Sequence, residues 1–150
     1  MASEAMAKAI AQIKRAKLQV GWFDTAQYED GTPVAYVAAI QEFGYPKGGI
    51  PPRPFLRPTI EQQRNAWRDS IAAGMRTVLE GKRSAREVLE RVGMLAAGNV
   101  SESIAAVTSP ALKQSTLDAR QRRKKTPGVS NKPLVDTGLL IQSVDSKVTE

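Results

Sequence analysis

The sequence contains neither cysteine nor histidine. Without cysteine there is no disulfide, no thiolate nucleophile and no cysteine-ligated zinc. Without histidine a Ser-His-Asp hydrolase is excluded, and most transition-metal sites lose their usual ligand. Aromatic residues make up only 5% of the chain, so a core has to be built from Ala, Val, Leu and Ile. No apolar run is long enough to cross a membrane, and the N-terminus lacks the apolar segment of a signal peptide. A soluble product made in the cytoplasm is the expectation. Gly48-Gly49 is not followed by the Gly-Lys-Ser/Thr of a phosphate-binding loop, which argues against nucleotide hydrolysis. Asp24, Glu29 and Asp30 are close in sequence but lack metal-ligand spacing, and read as solvated loop charges. No catalytic residue, metal or cofactor is therefore expected.

What remains is a chain of 150 residues, the size of one domain, 41% of it hydrophobic and so able to bury a core. Its net charge is +7, which suits a polyanionic partner as well as it suits a soluble protein with one basic segment. We read residues 1–150 as a single α+β domain: a small, mostly antiparallel sheet packed with helices. Met6, Ile10 and Ile13 place one apolar stripe on a helix over 3–16. KLQVGWFD (17–24) alternates as a half-buried strand, and Tyr28–Gly31 is a turn. A second helix is expected from Thr32 and Pro33 to Gly44, which suits a left-handed C-terminal residue.

Residues 45–58 hold five prolines and two glycines. This is a loop, mobile or docking, in a largely extended conformation. Thr59 and Gln62 read as a capping box for a third helix with Ile60, Trp67, Ile71, Met75 and Val78 on one face. Gly81 ends it. Ser84 and Glu87 form a second capping box before a fourth helix, lined by Val88, Val92, Leu95 and Ile104, in which Ala96, Ala97 and Gly98 are small enough for close packing. The predicted hairpin spans about 60–107. A basic arm, 118–133, begins as a short helix and continues as a loop over 126–133. Asp136 is expected to cap a short helix in TGLLIQS, and SVDSKVT (143–149) reads as a closing strand. One or two further strands are expected.

Three motifs have competing readings. The first is Asp136-Thr137-Gly138, the triplet that presents the catalytic aspartate of a pepsin-type protease. Such a site needs a β framework on both sides, whereas only twelve residues follow Gly138 and helices fill the middle of the chain. The duller reading, a structural turn, is preferred. The second is RQRRKK, where Arg120, Arg122, Arg123, Lys124 and Lys125 put five positive charges in six residues. The run suits phosphate contacts without sequence preference, or else a solvated arm; no aromatics interleave to stack on bases. The third is IPPRPFLRPTI (50–60), in which prolines stiffen a segment carrying Arg53, Pro54, Phe55 and Arg57. It reads as a rigid connector within the chain or as an anchor on a neighbouring subunit.

AAIQEFG (38–44), PPRPFLRPTI (51–60) and STLDARQRRKK…KPLVDTGLLIQSV (115–144) together resemble the tailed-phage head–tail joining and tail-completion proteins, the group that includes the minor tail protein Z-like and Mu-type virion-morphogenesis proteins. Glu42, Phe43 and Gly44 match the family's helix end. Arg53, Pro54 and Phe55 match its loop motif, and Asp136, Thr137, Gly138, Leu140 and Ser143 its C-terminal turn. Leu139 departs from the Arg often found there. The resemblance implies a structural, non-enzymatic virion protein of the neck, assembled in the host bacterial cytoplasm. It would form a homo-oligomeric ring, six copies matching the tail tube, that completes or terminates the tail and joins it to the DNA-filled head. Its partners would be other neck and tail-tube proteins, with non-specific contact to genomic DNA through the basic arm. Arg53, Pro54, Phe55 and Arg57 would be interface residues, and Gly44, Asp136, Thr137 and Gly138 structural ones. The alternative is a stand-alone, non-specific DNA-binding protein.

Overall fold

The computed structural model describes residues 3–125, 128 and 130–150. In chain order these form α1 (Glu4–Arg15), β1 (Lys17–Gly21), α2 (Val34–Phe43), a 3-10 turn (Pro46–Gly48), α3 (Leu56–Leu79), α4 (Ala85–Ala106), α5 (Gln114–Arg122), α6 (Leu139–Gln142) and β2 (Asp145–Thr149). The architecture is α+β, dominated by the α3–α4 hairpin. Among the described residues the sheet has two strands, β1 and β2, paired antiparallel with Leu18 opposite Val148 and Val20 opposite Ser146. The further strands expected from the sequence are replaced by two isolated bridges, Gln27 with Pro33 and Tyr45 with Ile50.

The hairpin organises two apolar clusters. Near its turn, Ala9 of α1 packs with Val78, Ala85 and Val88. At its open end, Phe55, Val100 and Ile104 pack with Val34 and Ala38 of α2, Leu134, and Leu140 of α6. Between them, the β1–β2 ribbon lies across α4. Gly93 makes that crossing possible: a Cβ there would fall 2.6 Å from Ser146 Oγ and 2.8 Å from Leu18 Cδ1. Gly98, expected to allow close packing, faces open space instead.

Several helix ends behave as their sequences dictate. Ser3 caps α1 by accepting from the Met6 N–H. Ser84 and Glu87 form the reciprocal capping box of α4, each side chain accepting from the other's N–H. In α1, however, Ala9 takes the buried position and Ile10 is turned outward. Ile60 and Leu95 are likewise exposed, so the apolar faces of the hairpin are narrower than their spacing suggests.

Three expectations are corrected. α2 starts at Val34 with Pro33 as its N-cap, one residue later than the sequence suggested. α3 starts at Leu56, not after Thr59; Thr59 lies inside the first turn, where its hydroxyl donates to the Phe55 carbonyl at 2.6 Å. Pro58 is tolerated there because first-turn N–H groups have no intrahelical acceptor. Asp136 does not cap α6, whose N-cap is Gly138 at φ 88°, with the Thr137 hydroxyl accepting from the Leu139 N–H at 3.4 Å. The loop reading of 126–133 falls in part on 126, 127 and 129, outside the described residues.

Candidate functional site

The conspicuous polar residues of the chain meet at the open end of the hairpin. Glu42 stands at the end of α2 and is only 3% exposed. A buried carboxylate is costly unless its oxygens are hydrogen-bonded. Those of Glu42 accept from the N–H groups of Phe55 (2.8 Å), Leu56 (2.9 Å) and Arg57 (3.1 Å), and from Arg57 Nε (2.8 Å). These are the unsatisfied donors of the α3 N-terminus, where a negative charge is also favoured by the helix dipole. Burial pushes the Glu42 carboxyl up, but the bonds from Leu56, Arg57 and Phe55 outweigh it and hold the group below the ordinary carboxylate range. A residue thirteen positions upstream of Phe55 thus caps α3.

Gly44 allows the chain to turn from α2 back to this helix. It has φ 78°, and a Cβ on it would sit 2.8 Å from Pro52 N and 3.0 Å from Ile50 O. Arg53 then points inward. It is 4% exposed, and its Nε donates to the Pro110 carbonyl at 2.7 Å and its Nη2 to Ala111 at 3.3 Å. Phe55 is fully buried, edge-on to Trp22 at 5.7 Å. The Trp22 indole N–H donates to the Leu140 carbonyl at 2.9 Å, tying this core to α6. Arg53 and Phe55 therefore anchor the loop within their own subunit. Pro54 and Arg57 remain at the surface, with the Arg57 guanidinium 4.7 Å above the Phe43 ring.

Arg120 contradicts its expected placement. Far from facing DNA, it is 8% exposed and gathers the segment after α5. Its Nη1 donates to the carbonyls of Ser130, Lys132 and Val135, and its Nη2 to Pro133, all within 3.1 Å. Burial lowers its pKa; Asp136, 3.4 Å away, opposes that, and Arg123 adds to it. Arg123 is half-buried and pairs with the same Asp136 carboxylate. Asp136, expected from the sequence to cap a helix, instead pairs with two guanidiniums, those of Arg120 and Arg123. Of the basic run, Arg122, Lys124 and Lys125 are exposed.

The sequence reading missed Glu42 as a cap, because Thr59 and Gln62 offered a local start for α3 while Glu42 lies thirteen residues upstream of Phe55. It also missed an exposed aromatic group. Tyr36 and Phe43 lie two turns apart on one face of α2, 59% and 64% exposed, and Tyr45 follows at 45%. On α4, Met94 and Leu95 are exposed at 73% and 49%. Among the described residues no group of three or more acidic side chains is placed to hold a metal ion, and no helix is long and apolar enough to cross a membrane. Comparison of the chain with protein-family models, curated proteins and solved structures finds no match.

Proposed function

We propose that the chain is a structural, non-catalytic protein of a tailed-phage virion. It assembles in the host bacterial cytoplasm as a homo-oligomeric ring at the neck, where it completes or terminates the tail and joins it to the DNA-filled head. The observation that carries this reading is the convergence of the three segments behind the resemblance. Residues 38–44 and 51–60 meet through Glu42 and the α3 N-terminus. Arg53 joins the loop to 110–111, and Arg120 and Asp136 close the third segment on itself, with both arginines lining one cavity. The three segments thus belong to one folded unit, which supports reading them together.

Two surface features favour assembly. Tyr36, Phe43 and Tyr45 are exposed on and just after α2, and Met94 and Leu95 are exposed on α4. A cyclic ring joins one surface of a subunit to a different surface of its neighbour, and so needs two such surfaces. The 45–58 loop, whose last residues begin α3, contributes through Pro54 and Arg57 beside Phe43, since Arg53 and Phe55 are occupied internally.

The test is electron microscopy of particles made by the parent phage with this gene deleted. Filled heads beside unattached or abnormally long tails are expected. Intact, infectious particles would overturn the assignment and bring forward a stand-alone DNA-binding role for the exposed part of the basic arm.

A further inference from the structure

Two cavities meet beside α5. The smaller, about 460 Å³, lies between the end of α2, the 49–53 loop, residues 110–113, α5 and Asp136. The larger, about 720 Å³, shares Gln41, Arg120, Arg123, Pro133 and Asp136 with it. Arg53, Lys113, Arg120 and Arg123 line the smaller cavity against one carboxylate, Asp136, an excess of three positive charges.

The charges are poorly matched within the subunit. Arg53 donates to two carbonyls and pairs with no carboxylate among the described residues. Arg120 is satisfied by four carbonyls and shares Asp136 with Arg123. Carbonyl oxygens satisfy N–H donors without cancelling a buried charge. Burial lowers the Arg53 pKa, and the nearby Arg120 guanidinium lowers it further. Among the described residues, the buried Arg123 Nε has no acceptor. Lys113 completes the ring of cations from the exposed end of the 110–113 segment.

We propose that this cavity binds a phosphate-type oxyanion, held by Arg123, Arg53 and Lys113. Guanidinium groups are suited to it because their planar donors match tetrahedral oxyanions in paired, charge-assisted hydrogen bonds. The excess of three charges suits a dianion better than a single carboxylate. The cavity is many times the roughly 30 Å³ that one water occupies, so it can take the anion together with part of its hydration shell or a group attached to it. The site does not depend on ring assembly.

The experiment is thermal unfolding of the purified chain against inorganic phosphate, with chloride making up a constant ionic strength. A saturable rise in Tm with phosphate is expected. Lys113→Glu should raise the half-saturating phosphate concentration at least tenfold, and Lys113→Gln by less. Both keep the fold, since Lys113 is exposed and an acidic residue at a helix N-terminus is favourable; circular dichroism checks this. A phosphate titration that superimposes on the chloride control overturns the site, as does a folded Lys113→Glu chain that titrates like the parent. A 5′-phosphorylated dinucleotide that competes with phosphate, while its 5′-hydroxyl counterpart does not, supports the site and makes a nucleic-acid end its source. Absence of competition, with the phosphate response intact, supports it with free phosphate as the ligand.

Discussion

Glu42 is the residue on which most of the local structure turns. Its carboxylate serves three backbone N–H groups and one guanidinium from a site almost closed to water. Glu42→Gln keeps the shape but replaces one oxygen with an NH₂ that faces donors, and should cost about 2–3 kcal/mol in urea unfolding. The pH dependence has a definite sign. The folded carboxyl titrates below its ordinary value of 4.5, so the charged form stabilises the fold. That contribution is fully present above 4.5 and is lost as pH falls below 4.5 through the depressed folded value. The Gln variant should therefore lose less stability than the parent between neutral pH and that acidic range. An identical acid limb in both would remove Glu42 as its source.

At the scale of elements, α4 is the axis on which the ribbon and both apolar clusters are set, and its two inner glycines separate two physical roles. Gly93→Ala should destabilise by about 1–3 kcal/mol, because the added methyl meets Ser146 and Leu18 at less than 3 Å. Gly98→Ala meets nothing within 4 Å, and should stabilise by roughly 0.5–1 kcal/mol through helix propensity alone. Equilibrium urea unfolding of both variants measures the contrast; equal effects would mean that the ribbon does not pin α4. The two glycines look alike in the sequence, five residues apart on one helix. Their difference depends on a strand more than forty residues downstream, which no local pattern records. The hairpin and both strands were legible because periodicity and the Ser84–Glu87 box are local signals. The start of α3 and the role of Asp136 were not, because each is settled by a partner distant in sequence. Arg120 was misread for the same reason: a run of like charges carries no mark of which member the fold turns inward.

For the whole molecule, the net charge of +7 is partly internal. Arg53 and Arg120 are buried and Arg123 is paired, which leaves Arg122, Lys124 and Lys125 as the exposed basic group of the arm. If the arm touches DNA, replacing these three with Gln should flatten the dependence of log K on log salt by about 0.9 for each phosphate no longer neutralised. Fluorescence anisotropy on a duplex at several salt concentrations reads this directly, and an unchanged slope would remove the arm from any DNA binding. The arm also lies between the two members of the only strand pair among the described residues, with β1 before it and β2 after it. A cut at Lys124 or Lys125 would break the covalent chain without releasing the downstream piece. That piece would stay clasped by the ribbon, by α4 and by the carbonyl grip of Arg120. Such a nicked molecule would travel as one particle under native conditions and come apart only on denaturation, so exposed Lys124 and Lys125 mark a place where severance should be tolerated.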